Sequence, residues 1–248
     1  IYGGAIYNAY LQNNLVDQSL TINKGIVFKN NTSAAGGAIY NNGIVTITSA
    51  NFTSNKATLD SKYDFTGNGG AIYNTNQNPS EDEDFNSQLT INKSTFTSNS
   101  ATLCGGAIYN NSNNVIINNS TFNKNTSLQG GAIYNNGILN ATSVTFNGNT
   151  AVQGGALYSA IDQTGTVDAK VTLSKNTFKY NSVQVKSGLD EEALGGAIYN
   201  AADMSIASST FTGNYTKDGK GGAIYNSADS KSLELTKVTF TGNYALYG

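Results

Sequence analysis

The side chains able to do chemistry in this 248-residue sequence are sixteen carboxylates, fourteen lysines and a single cysteine, with no histidine. Arginine is also absent. Glycoside hydrolysis would require two carboxylates held at a fixed separation across a groove. Here the acids gather instead in short runs, Glu81-Asp82-Glu83-Asp84 and Asp190-Glu191-Glu192. These runs repeat no calcium-ligand spacing and read as solvated loops. Elimination from a uronate would need Arg or Lys as base and a cation to neutralise the carboxylate, but the lysines are dispersed. Cys104 stands alone, which leaves no disulfide framework and no cysteine metal site, and it reads as a small buried side chain. The expectation is a protein that is not an enzyme and holds no metal or cofactor, with a polysaccharide lyase or hydrolase the least favoured alternative. A formal net charge of -2 gives nucleic acid or an anionic membrane surface no electrostatic footing.

The remaining pattern is repetition. Gly-Gly-Ala, then Ile or Leu, then Tyr, begins at Gly3, Gly36, Gly69, Gly105, Gly130, Gly154, Gly195 and Gly221, and Tyr247-Gly248 opens a ninth. Phe-x-x-Asn begins at Phe28, Phe52, Phe96, Phe122, Phe146, Phe178, Phe211 and Phe240. Seven and five residues ahead of the last seven phenylalanines sit apolar pairs such as Val45/Ile47 and Leu139/Ala141. The first repeat, Leu20/Ile22, carries one extra residue before Phe28, and this predicts a bulge.

Such short alternating runs, rich in Thr, Val, Ile, Phe and Tyr, specify strands, and the Asn-Gly and Asn clusters between them specify turns. No 3.6-residue period supports a helix. Three strands per coil of about 24 residues, eight times over, predict an all-β, right-handed, single-stranded parallel β-helix with loops inserted at its corners. Residues 1–248 form one β-helix segment in this reading, part of a longer array. The insertions fall after Tyr-Asn (9–18, 75–88, 159–168, 227–231) or before the next glycine pair (56–68, 182–194, 215–220). Inward-facing Phe should stack as an aromatic column. The asparagines three residues later (Asn31, Asn55, Asn99, Asn125, Asn149, Asn181, Asn214 and Asn243) should hydrogen-bond along the stack as a structural ladder. With Ile facing in, Ala and Tyr of each Gly-Gly-Ala-Ile-Tyr should face out. Tyr7, Tyr40, Tyr73, Tyr109, Tyr134, Tyr158, Tyr199 and Tyr225 would then line one outer face as an accessible binding strip, or serve only to stiffen the rod.

Alternating Gly-Gly-Ala-Ile and Phe-x-x-Asn motifs resemble the repeats of polymorphic outer-membrane proteins, the autotransporter adhesins of chlamydiae, and are similar to repeats of adhesin-like surface proteins elsewhere. The resemblance covers all eight coils. It implies an extracellular or cell-surface location and a non-catalytic stalk or adhesin. Its partners would be host or neighbouring-cell surface glycans or proteins, or further copies of itself, with no direct membrane insertion by this segment. A structural filament assembling through repeat stacking is the alternative reading. Because strands repeat while loops vary in length and charge, selective contacts are expected from the corner loops.

Overall fold

A computed structural model describes residues 1–8, 19–62, 66–76, 87–112, 114–160, 169–185 and 192–247. One coil shows the construction. Strands Ile133–Asn135, Ile138–Thr142 and Thr145–Asn147 follow one another around a core, and a two-residue strand, Thr150–Ala151, begins the return to the next glycine pair. Corresponding strands of successive coils pair in parallel. Three sheets of eight strands result, from Ile6–Asn8 to Ile224–Asn226, Ser19–Ile22 to Ser232–Thr236, and Val27–Lys29 to Thr239–Thr241. The register aligns the repeats residue for residue: Ile108 with Ile133, Val115 with Leu139, Phe122 with Phe146. This is a parallel β-helix, as the period requires.

Alternation along each strand sends one set of side chains inward. In Ile138–Thr142, Leu139 and Ala141 are buried while Asn140 and Thr142 are exposed. Eight phenylalanines stack ring on ring, with centroids 4.6–5.2 Å apart. Seven of them, Phe28 to Phe211, merge with the Ile, Leu and Val columns into one continuous apolar core. Its length grows with each coil, so neighbouring coils complete one another's burial.

The corners explain the glycines and the polar residues between strands. Between the second and third sheets a left-handed residue recurs (Ser49, Lys93, Asn119, Ser143, Lys175, Ser208, Lys237), and another recurs two residues after each Phe (Asn30, Ser54, Ser98, Lys124, Gly148, Tyr180, Gly213, Gly242). In the glycine pair the first member has φ near +60°, and the second is required for space. A Cβ on Gly131 would lie 2.1 Å from the carbonyl oxygen of Gly155 in the next coil. With both conditions met, the N–H groups of Ala132 and Ile133 donate to the same carbonyl, that of Ala156, at 3.0 and 2.9 Å.

Three expectations are corrected here. The alanine of Gly-Gly-Ala faces inward: Ala38, Ala71, Ala107, Ala132, Ala156 and Ala197 are fully buried core residues. Strand alternation begins only at the following Ile, because Gly-Gly-Ala is a corner and not yet strand. The extra residue before Phe28 makes no bulge. Ile22 pairs in register with Ile47 and Phe28 with Phe52, and the surplus is absorbed in a turn at Lys24-Gly25, where Gly25 has φ +89°. Residues 215–220 are no loop but a strand, Tyr215–Lys220, which pairs with Ser182–Val183 on one stretch and Ala193–Leu194 on the other.

Candidate binding surfaces

The asparagine column after Phe is internal. Each amide in it is committed on every side, as Asn149 illustrates. Its Nδ2 donates to Asn181 Oδ1 at 3.0 Å and to the Phe122 carbonyl at 3.0 Å. Its Oδ1 accepts from both the backbone N–H and the Nδ2 of Asn125, each at 2.9 Å. The same arrangement continues from Asn31 through Asn55, Asn99, Asn125, Asn181 and Asn214 to Asn243. No hydrogen-bonding capacity is left on the interior amides for a ligand.

A second ladder, not anticipated from the sequence, runs through the asparagine of Tyr-Asn. Nδ2 of Asn8, Asn41, Asn74 and Asn110 each donates to the Oδ1 of the next, ending at Asn135, and Asn200 donates to Asn226. These amides also close the turn after the first sheet, as Asn41 does on both polar atoms of Gly43. The signal was present in the invariance of Asn after Tyr in seven of the eight repeats. The exception, Ser159, is fully buried, and among the described residues its Oγ has no hydrogen-bond partner.

The eight tyrosines do form one column. From Tyr7 to Tyr225 successive rings stack with centroids 4.4–5.4 Å apart. Their accessibility differs from expectation. Tyr40 and Tyr73 are only 6% and 3% exposed, packed with Ala35, Tyr2 and Tyr109. Tyr109, Tyr134, Tyr158, Tyr199 and Tyr225 are half-buried, and Tyr7 is exposed. Ring faces that pack against one another cannot also receive a ligand, so what the column offers solvent is ring edges. Burial raises the phenol pKa of Tyr40, Tyr73, Tyr109 and Tyr134, and neighbouring tyrosines raise it further; Cys104 adds to the effect on the last three. Cys104 is half-buried in the row preceding the glycine pairs, its Sγ 3.5 Å from Gln129 Oε1.

The side of the coil between Phe-x-x-Asn and the glycines is the irregular one. The coils containing Asn125 and Asn149 cross it in four residues, whereas 56–68 and 182–194 are long. A cleft of about 340 Å³ opens over the short crossings, lined by Thr126, Thr150, Ala151, Val152, Gln184 and Val185 among others. The base of 56–68 is tied by Thr66 Oγ1, which donates to the Asp60 carbonyl and accepts from the Asp60 N–H. All of 9–18, most of 75–88 (with the run Glu81–Asp84) and of 159–168, and residues 63–65 and 186–191 lie outside the described residues. Among the described residues no group of three or more His, Cys, Asp or Glu could hold a metal ion. No helix among them is long and apolar enough to cross a membrane, which says nothing of a β-barrel.

Six segments, 25–42, 49–75, 93–111, 119–136, 143–160 and 208–227, match the Chlamydia polymorphic membrane protein repeat. Each takes in a Phe-x-x-Asn corner together with the Gly-Gly-Ala-Ile/Leu-Tyr that follows it. No curated protein and no solved structure matches the chain.

Proposed function

From the chlamydial polymorphic membrane protein repeats that this chain carries, we propose that it is a non-catalytic adhesive stalk, displayed outside the cell, that attaches to glycans or proteins of a neighbouring or host surface. The observation that carries this reading is how the polar groups are used. Inward strand positions and the corner asparagines are consumed by the apolar and aromatic stacks and the two amide ladders, as the interior Asn149 shows on all its polar atoms. A rod built this way resists bending and offers little selectivity along its strands. Variation in length is confined to the corner crossings, where backbone can change without unpairing a sheet. Catalysis would need an arrangement of charged groups that departs from the repeat, and the described strands supply none. The partner-facing surface in this reading is the side carrying 56–68 and 182–194.

Deleting 59–67 and 184–192 would leave both crossings at the four-residue length of the short coils. Beads coated with the wild-type chain should attach to cells. The deletion protein should melt within a few degrees of wild type and lose attachment. Attachment that survives the deletion but disappears when Tyr109, Tyr134 and Tyr158 are replaced by Ser would move the binding surface to the tyrosine column. Failure of the wild-type beads to attach to any cell surface would overturn the adhesive reading.

A further inference from the structure

A net charge of -2 is an average over faces, and the third sheet departs from it. The strands from Val27–Lys29 to Thr239–Thr241, with the corners just before and after them, hold seven of the fourteen lysines and none of the sixteen carboxylates. Lys24 lies in the turn entering the first of these strands and Lys29 at its end. Lys93, Lys175 and Lys237 share the left-handed column at the corner before the strands, and Lys124 stands in the left-handed column after them. Lys179 belongs to a strand and pairs in register with Asn147 and Thr212. Lys179 is half-buried and the other six are exposed, Lys93, Lys124 and Lys175 on interior coils.

The other sides are not single-signed. The strands of the first sheet carry no charge. The second sheet sets Lys170 in register with Asp203, and Glu234 faces out from its last strand. On the crossing side Lys220 is ion-paired with Glu192 at 3.0 Å. The coil does not ask for the lysines of the third sheet. Four of them have φ between 51° and 56°, where other coils place Asn, Ser or Gly in the same columns. A left-handed backbone is reached more readily by Gly or Asn than by a long side chain.

Spacing along the rod decides what such a face can meet. Coils stack about 4.8 Å apart. The seven lysines fall on the first, third, fourth, sixth and eighth strands of the sheet. Successive charges are therefore one or two coils apart, about 5–10 Å, over a run of about 34 Å. At physiological salt a fixed charge is felt over roughly 8 Å. A compact anion would meet one or two of these lysines, whereas an extended polyanion would meet them in turn. Among them an unbroken row of threonines, Thr95 to Thr239, runs in register through six coils.

We propose that the outer face of the third sheet, from Lys24 to Lys237, is a docking surface for an acidic polysaccharide chain laid along the rod. The ammonium groups meet its anionic groups, and the threonine hydroxyls meet its sugar hydroxyls. Nucleic acid fits less well. The chain has no arginine to grip a phosphate with two hydrogen bonds, and Tyr180 is the one outward ring at these corners, where bases would need several. The proposal goes beyond the adhesive reading, in which the crossing loops make the selective contact. Dispersed, solvated lysines give a screened attraction that steers the rod onto an acidic surface more than it holds the rod there.

The test measures binding of a heparin octasaccharide to the full chain by calorimetry at about 50 mM salt. Maltooctaose serves as the neutral probe and a single-stranded oligodeoxynucleotide as the other polyanion. Heparin should bind, and at least tenfold more weakly at about 200 mM salt. Lys93→Gln with Lys175→Gln and Lys179→Gln should weaken binding at least tenfold. Lys62→Gln with Lys170→Gln and Lys217→Gln, an equal change of charge on other sides, should weaken it less than threefold. Both variants should melt like wild type, because these side chains lie outside the core. The face is overturned if heparin does not bind, if the two variants lose affinity equally, if maltooctaose binds as tightly, or if the oligonucleotide binds more tightly than heparin. Cell attachment without heparin binding removes the face and leaves the adhesive reading standing. Heparin binding that depends on the third-sheet lysines, in a chain that attaches to no cell, upholds the face and removes the adhesive reading.

Discussion

Replacing Asn149 by Ala tests whether the amide ladder holds the coils or only decorates them. The substitution removes the Oδ1 that accepts both the backbone N–H and the Nδ2 of Asn125. Asn125 is fully buried, so water cannot substitute without a local opening. The Phe122 carbonyl also loses a donor. An orphaned buried donor costs about 1–3 kcal/mol, so two give roughly 2–6 kcal/mol. For a chain of this length that corresponds to a fall in melting temperature of roughly 5–20 °C. Asn147→Ala supplies the control. Asn147 makes a similar amide-to-amide bond, 2.8 Å to Asn123 Oδ1, but on the outer, half-buried face. There water can satisfy the partner, and the expected loss is under about 1 kcal/mol. Urea melts of both variants, followed by far-ultraviolet circular dichroism, make the comparison. Equal losses for the two variants, or a loss under about 1 kcal/mol for Asn149→Ala, would refute the assignment of stability to the internal ladder.

Further outcomes follow from the same geometry. Ser159→Asn would restore the missing rung between Asn135 and Asn200, and should stabilise by about 1 kcal/mol, read as a melting temperature raised by roughly 2–4 °C. Gly131→Ala places a Cβ against the Gly155 carbonyl and should cost about 3 kcal/mol or more, with proteolysis increased around that coil. Phe146→Ala removes a ring stacked between Phe122 and Phe178 and should cost about 3–5 kcal/mol in the same melts. Raised phenol pKa values at Tyr40, Tyr73, Tyr109 and Tyr134 stabilise the fold while the rings are neutral. That contribution is whole below the ordinary tyrosine value of about 10 and is lost as pH climbs above it, so urea midpoints should fall from about pH 10 upward. A midpoint that stays level to pH 12 would contradict the burial of those rings.

The β-helix was legible because its determinants are local and repeated. Phe at a fixed distance before Asn, an apolar pair at fixed distances before Phe, and a glycine pair each recur in the same order, and parallel stacking is the arrangement that aligns them all. What escaped was set by the corners. Alternation read backward from Ile133 puts Ala132 outside, but the chain turns at Gly130-Gly131, so Ala132 enters the core. The side of the rod that Tyr134 occupies was readable, and the closeness of its neighbours was not. Ring-to-ring distance and the cover supplied by residues such as Ala35 and Tyr2 are tertiary facts. The Tyr-Asn ladder was missed although its asparagines recur, because an Asn beside a turn is equally explained by turn propensity alone. Tyr180 and Tyr215 carried a signal as well, an aromatic residue where other repeats have small or polar ones. Its meaning depended on knowing which face of the corner they occupy.

Recurrence and exception therefore carry different information in this chain. A side chain present in every coil stacks on its own copies, as Phe146 does on Phe122 and Phe178, and its best partner is already within the rod. Copies of the same residue at sheet spacing satisfy one another most fully when buried, which withdraws them from solvent and from ligands. A residue present in only one or a few coils has no such partner along its column. Ser159 shows the internal consequence, a broken rung. Tyr180 shows the external one, an exposed ring with its edge beside a glycine of the next coil and with no aromatic copy in its column. A side chain of that kind improves binding only if something outside the chain meets it. If the chain is adhesive as proposed, recognition should accordingly track the exceptions to the repeat.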